Sequence, residues 1–168
     1  MSAVEKSRPV SAKLGNLVFG LGDTGLSVAR YLKRKGVDAV FVDSRNNPPG
    51  LHELQNLLPG ATVILGDRVG PVFKNVDRII ASPGVADSEP LLASARKSGI
   101  DVVSDIELFV READAPIIAV SGSNGKSTVT TLIALMCDAA GKTALAGANL
   151  GRPALDLLEQ DKPDFYVL

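Results

Sequence analysis

Leu17-Val18-Phe19-Gly20-Leu21-Gly22-Asp23-Thr24-Gly25 decides the fold class of this 168-residue chain. A short apolar run leads into G-x-G-x-x-G, and an amphipathic segment follows, so the glycines stand where a strand turns into a helix. Gly20 allows the tight turn, Gly22 lets a diphosphate approach the backbone, and Gly25 lets the helix lie close to the sheet. The helix N-terminus adds unpaired N–H groups and a partial positive charge. Asp43, at the end of the next apolar run, lies roughly twenty residues on, where an acid for a ribose or a base is expected. The loop is therefore read as a nucleotide site rather than a plain turn. The pattern fits NAD, FAD or a sugar nucleotide, and Asp43-Ser44-Arg45 suits a base or a 2′-phosphate equally well.

The same rhythm of apolar run, turn and amphipathic segment continues outward. Strands are expected at 17–19, 39–42, 62–65, 78–81 and 102–103. Helices are expected at 24–35, 51–58, 89–98 and 104–111, the first ended by Gly36. Strands alternating with helices imply βαβ units and a parallel sheet with helices on both faces. Ser82-Pro83-Gly84 follows the fourth strand as a proline–glycine turn at the sheet's C-terminal edge, read equally well as a turn alone or as a turn whose Gly84 approaches a ligand. The polar segment Glu112-Ala113-Asp114-Ala115-Pro116 marks a boundary, and the pattern then restarts. The fold class is α/β: a Rossmann-like parallel sheet domain over 1–112, then the first part of a P-loop α/β ATPase domain over 113–168.

That second part is read from Gly122-Ser123-Asn124-Gly125-Lys126-Ser127-Thr128. It joins an apolar strand, Ile117 to Val120, to a helix expected over 126–140. Successive backbone N–H groups form an anion nest. Lys126 brings a point charge to the β- and γ-phosphates, Ser127 a hydroxyl ligand for Mg²⁺, and Thr128 a hydroxyl for an α- or β-phosphate oxygen. The loop is a shortened variant, since Val120 stands where the general pattern has its first glycine. Further strands are expected at 143–146 and 164–168. The last, Phe165-Tyr166-Val167-Leu168, reads as a buried strand whose following polar residues are missing, so the chain is expected to be a fragment.

Composition narrows the function. Hydrophobic residues make up 45% and charged residues 22%, as in a soluble globular protein. A net charge of −1 without a basic stripe argues against nucleic acid. Lys33-Arg34-Lys35 reads as a solvated helix end that complements the dipole. No signal-peptide run or membrane span is visible, and the single cysteine forbids an intramolecular disulfide, which suits a cytoplasmic protein. His52 reads as a surface histidine and Cys137 as a buried inert thiol. No residue cluster has metal-ligand spacing.

Two phosphate loops in one short chain are an uncommon pair. With Ser121-Gly122-Ser123-Asn124-Gly125-Lys126-Ser127-Thr128-Val129-Thr130-Thr131 the chain resembles the Mur ligase family. Gly20 to Ser27, Ala81 to Val85, Ser104 to Phe109 and Ala148 to Leu155 extend the likeness over nearly the whole chain. Asp105-Ile106-Glu107-Leu108-Phe109 and Asn149-Leu150-Gly151 resemble the D-glutamate-adding members. The resemblance implies three domains: one for the UDP part of the substrate, a P-loop ATPase, and one for the incoming amino acid. It implies a step of peptidoglycan precursor synthesis. ATP would phosphorylate the carboxylate of UDP-N-acetylmuramoyl-L-alanine, and D-glutamate would attack the acyl phosphate to give the amide.

Carried over by position, Asp23 and Thr24 would lie at the diphosphate, Asp43, Ser44 and Arg45 around the uracil, and Gly84 at the nucleotide-sugar region. Asn149 would touch the muramoyl portion. Asn124, Gly125, Lys126, Ser127 and Thr128 would hold ATP, with Lys126 catalytic and Ser127 on Mg²⁺. Asp23 departs from the family's more usual apolar residue, and its charge is unfavourable beside a diphosphate unless it points away. The family's later glutamate, histidine, modified lysine and third domain have no counterpart in this sequence, so the chain alone is expected to form no amide. Two readings compete: an NAD(P)-binding oxidoreductase domain, which leaves the P-loop unexplained, and a non-catalytic nucleotide-binding module.

Overall fold

The computed structural model describes residues 15–66, 76–85, 89–148 and 151–168. Two parallel sheets organise them. The first contains β1 (Asn16–Phe19), β2 (Ala39–Asp43), β3 (Thr62–Leu65), β4 (Arg78–Ala81) and β5 (Asp101–Ser104) in the order β3-β2-β1-β4-β5. The second contains β6 (Ile117–Ile118), β7 (Ala144–Ala146) and β8 (Phe165–Val167) in the order β6-β8-β7. The helices are α1 (Asp23–Lys35), α2 (Leu51–Leu57), α3 (Pro90–Lys97), α4 (Asp105–Glu112), α5 (Lys126–Ala139) and α6 (Ala154–Leu157).

A parallel sheet covered on both sides needs strands that are apolar on both faces, and β1 shows the division. Val18 joins a cluster with Leu26, Ala29 and Leu32 of α1, Leu54 of α2 and Phe109 of α4. Its neighbours Leu17 and Phe19 join a separate cluster with Leu92 and Ala95 of α3. Phe41 and Ile80 repeat the first choice, Val40, Val42 and Ile79 the second. Fully burying such a side chain is worth about 1.5–3 kcal/mol, so the central strands are the stable heart of the molecule.

Helix ends follow their sequence signals. Gly36 adopts φ 64° beyond α1, and its N–H reaches the carbonyl of Lys33. Ser104 caps α4, its side-chain oxygen accepting from the N–H of Glu107 at 3.1 Å. The α6 helix was not anticipated, and β6 is shorter than expected: it pairs only at Ile117 and Ile118, although the N–H of Val120 still donates to the carbonyl of Leu168 at 2.7 Å.

The α6 helix ties the two sheets together. Ala154, Leu155 and Leu157 are buried in the same cluster as α1 and α4. Asp156 binds Arg30 through both oxygens, at 3.2 Å from Nε and 2.6 Å from Nη2, and accepts from Ser27 Oγ at 2.8 Å. Tyr166 of β8 meets Phe109 of α4 edge-on, with ring centroids 5.0 Å apart, an arrangement worth about 0.5–1.5 kcal/mol beyond its area.

Candidate functional site: two glycine-opened helix ends

The strand order reverses between β1 and β4, because the chain winds one way through β2 and β3 and the other way through β5. Open α/β sheets bind ligands at the C-terminal ends of strands at such a point, and the loop from Gly20 to Gly25 lies there. It is held from three sides. The N–H of Gly20 donates to the carbonyl of Val42 at 2.8 Å. The N–H of Ser82 donates to the carbonyl of Phe19 at 2.9 Å, and Ser82 Oγ to the carbonyl of Gly20 at 3.2 Å. Gly25 permits the approach of α1, since a Cβ there would lie 2.0 Å from the carbonyl oxygen of Gly20. Gly22 caps α1 without any side-chain hydrogen bond, which leaves first-turn amides for an anion, unlike the Ser104-capped α4. Asp23 is exposed and Thr24 half-buried in that first turn.

Asp43 has a task that its position alone did not reveal. It is buried, and its carboxylate accepts from the N–H of Leu21 at 2.7 Å. It also accepts from Arg45 through the backbone N–H at 2.9 Å, Nε at 2.8 Å and Nη2 at 2.7 Å. Burial pushes its pKa up, but the Arg45 guanidinium and the two backbone donors outweigh that and hold it below the usual carboxylate range. Asp43 thus braces the glycine loop and orients Arg45. Ser44 and Arg45 are exposed beside it. Gly84 is exposed in the turn from Ser82 to Val85, which the N–H of Val85 closes onto the carbonyl of Ser82 at 2.9 Å.

The second loop follows β6 and opens α5. Gly125 takes φ 75° as the cap of α5, and no side chain caps the helix. A left-handed cap of this kind costs an L-residue strain that glycine avoids. Lys126 Nζ donates to the carbonyl of Gly122 at 2.6 Å, so its ammonium lies across the loop. Asn124, Ser127 and Thr128 are exposed, with Ser127 and Thr128 in the first turn of α5. The hydroxyl of Ser127 is one exposed oxygen donor of the type that Mg²⁺ takes alongside waters and phosphate oxygens. Among the described residues no group of three His, Cys, Asp or Glu side chains could hold a metal by itself.

The structure gathers Asp23, Thr24, Asp43, Ser44, Arg45 and Gly84 around the edge of the first sheet, and Asn124 to Thr128 at the second. Asn149 lies outside the described residues. A cleft of about 290 Å³ runs between the start of α1 and the turn before α6, with Asp23, Arg30, Glu53, Arg152 and Asp156 among its lining. Arg152 falls in the segment from Ala148 to Leu155, where the sequence assigns a site role only to Asn149.

Of the remaining candidates, His52 is exposed and within 3.3 Å of Asn56 Nδ2. Cys137 is half-buried and free rather than fully buried. Lys33, Arg34 and Lys35 are more than a solvated helix end: Lys33 donates to the carbonyl of Leu57, Arg34 binds Glu159 and Lys35 binds Glu112. Asp105 is buried with Oδ1 unpartnered, and burial pushes its pKa up against the backbone donors of Ile106 and Asp105. No described helix is long and apolar enough to cross a membrane.

Comparison with known proteins gives these geometries a context. The family model described as the Mur ligase MurD-like N-terminal domain matches residues 15–104. A UDP-N-acetylmuramoylalanine–D-glutamate ligase of Nitrosococcus oceani is 49% identical over 153 residues, which are 91% of this chain and 34% of that protein. The enzyme of the same name from Marinobacter nauticus is 49% identical over 152 residues, 90% of this chain and 34% of that one. The chain therefore spans about a third of the length of these relatives. Among solved structures, a pseudomurein peptide ligase type C from Methanothermus fervidus superposes with a TM-score of 0.52 at 21% identity, covering 92% of this chain and 32% of that chain. This likeness concerns the fold alone.

Proposed function

The chain belongs to the Mur ligase family, in its MurD-like branch, and from that premise we propose that it supplies the uridine-nucleotide site and the ATP loop of a cytoplasmic ligase that adds D-glutamate to UDP-N-acetylmuramoyl-L-alanine. The observation that carries this reading is that two glycine-capped helices, α1 after β1 and α5 after β6, begin in first turns that are exposed or half-buried at Asp23, Thr24, Lys126 and Ser127, whereas Gly50, the glycine cap of α2, is buried against Leu21 and Leu26. Both α1 and α5 offer backbone N–H groups to phosphate, which suits a chain that handles two phosphate compounds.

The diphosphate of the UDP compound sits against the first turn of α1, near Asp23 and Thr24. The uracil faces Ser44 and Arg45, with Asp43 holding Arg45 in place, and Gly84 leaves room for the nucleotide sugar. Asn149 is assigned to the muramoyl portion. ATP lies on Asn124, Gly125, Ser127 and Thr128. Lys126 exchanges its bond to Gly122 for the β- and γ-phosphates and offsets charge during transfer to the substrate carboxylate. Ser127 would hold Mg²⁺, which supplies charge neutralisation between the phosphates. The amine of D-glutamate then attacks the acyl carbon, the bond to the phosphoryl oxygen breaks, and phosphate leaves as the amide forms. Because the chain spans about a third of its relatives' length, it is expected to bind nucleotide and to form no amide alone.

An oxidoreductase domain is less well supported. The acid that would take a ribose hydroxyl is Asp43, and its oxygens already serve Leu21 and Arg45 in a buried position. Calorimetry decides between the two: saturable binding of UDP-N-acetylmuramoyl-L-alanine without competition from NADH is expected, and binding of NADH alone overturns the proposal.

A further inference from the structure

We infer that Arg152 is a positioning residue for the substrate diphosphate, clamping it from the side of the cleft opposite the first turn of α1. The inference rests on the uridine-nucleotide reading above and adds a residue that neither glycine loop contains. Its starting point is the charge inventory of the 290 Å³ cleft. Arg30 is fully engaged there, bound to Asp156 through two nitrogens and to Glu53 at 3.0 Å. That leaves Asp23 on the α1 side and Arg152 on the other. Both are exposed, and neither has an ion-pair or hydrogen-bond partner among the described residues.

The two unpaired charges have opposite consequences for an anion at the α1 N-terminus. Asp23 favours the empty helix end, where a carboxylate complements the dipole, and repels a diphosphate that approaches the same amides. Arg152 stands across the cleft with its guanidinium uncommitted, and a planar fork of donors suits two diphosphate oxygens at once. Its backbone is anchored: Ala154 and Leu155 are buried, and a Cβ on Gly147 would meet the carbonyl of Arg152 at 3.0 Å. The arginine therefore lines the cleft from a fixed turn on α6's side of the molecule, and Asp23, Leu26 and Arg30 of α1 line it from the other. A diphosphate between them has donors on two sides, and the repulsion from Asp23 is offset.

The test is calorimetric titration of the chain with UDP and, separately, with uridine, which lacks the phosphates. Arg152→Ala is expected to weaken UDP about tenfold, the scale of one lost charged hydrogen bond, and to leave uridine unchanged. Arg152→Lys should retain part of the affinity. Asp23→Asn should tighten UDP a few-fold, again without effect on uridine, and unchanged melting temperatures would exclude a folding defect. A less than twofold change for UDP in Arg152→Ala, or equal losses for UDP and uridine, overturns the clamp while leaving the nucleotide reading intact. Wild-type chain that binds neither compound overturns that reading and the clamp with it.

Discussion

The two glycine loops share a plan and differ in how they are supported. The first is wedged between strands: Ser82 and Val42 hold its backbone, Asp43 braces Leu21, and Gly25 is packed against Gly20. The second stands free. Its residues from Ser121 to Gly125 are exposed, β6 pairs over two residues, and Thr130 is the one residue of α5 that is buried. Val129, Leu132, Leu135 and Met136 show 44–70% of their surface on that helix, an apolar face of the kind that packs against another surface. Shape is thus built into the first loop by its neighbours, whereas the second has chiefly its own backbone and the bond from Lys126 to Gly122.

Mutations can break that contrast, beginning with the most severe. Gly25→Ala puts a methyl group 2.0 Å from a backbone oxygen and is expected to cost about 3 kcal/mol, together with uridine-nucleotide binding; a melting curve and one titration check it. Asp43→Ala strands the buried N–H of Leu21 and should cost about 2 kcal/mol. Because the folded pKa of Asp43 is depressed, its contribution is complete above the unfolded value and is lost as pH falls from about 4 through the folded value. Urea midpoints of the wild type should fall over that range, and those of Asp43→Ala should fall less.

Asp156→Ala removes the partner of Arg30 and Ser27 and should cost about 1–2 kcal/mol. Hydrogen exchange should then accelerate in the second sheet more than in the first, and equal acceleration would mean that the sheets do not differ in support. Asp105→Asn should act in the opposite sense. Its folded pKa is raised, so the charged form is disfavoured by folding, and the variant should be more stable by about 1 kcal/mol at pH 7 with the gain vanishing below the unfolded pKa. Lys126→Ala is expected to leave stability within about 0.5 kcal/mol while abolishing Mg·ATP binding. A large loss of stability would show that the second loop is braced after all.

Most of this architecture is legible in the sequence because strands buried on both faces and glycine-opened helices leave strong local patterns. The β1–α1–β2 unit is placed within a residue or two for that reason. The α6 helix is not legible. Four residues carry no periodicity, and Ala154-Leu155-Asp156-Leu157 is helical through its packing on α1 and α4. The same physics hid the role of Asp43. A position at a strand end suggests a ligand-binding acid, but the partners that occupy it, Leu21 in particular, are brought in by strand pairing. Arg34 and Lys35 likewise found Glu159 and Glu112, more than seventy residues away in sequence. Arg152 lies within the likeness from Ala148 to Leu155, but its place opposite α1 becomes visible only across the cleft.

The position of β8 in the second sheet governs the order of assembly. β6 and β7 do not pair with each other; each is hydrogen-bonded to β8, which comes last in sequence. Ile117 therefore waits for Tyr166, and the intervening chain must close into a loop before any ladder bond compensates the lost entropy. The first sheet can zip from β1 and β2 as soon as they exist. On a ribosome or in a refolding experiment, the loop from Gly20 to Gly25 would take shape early, and the strand that leads into the loop from Gly122 to Gly125 would be fixed only when β8 slides between its two neighbours.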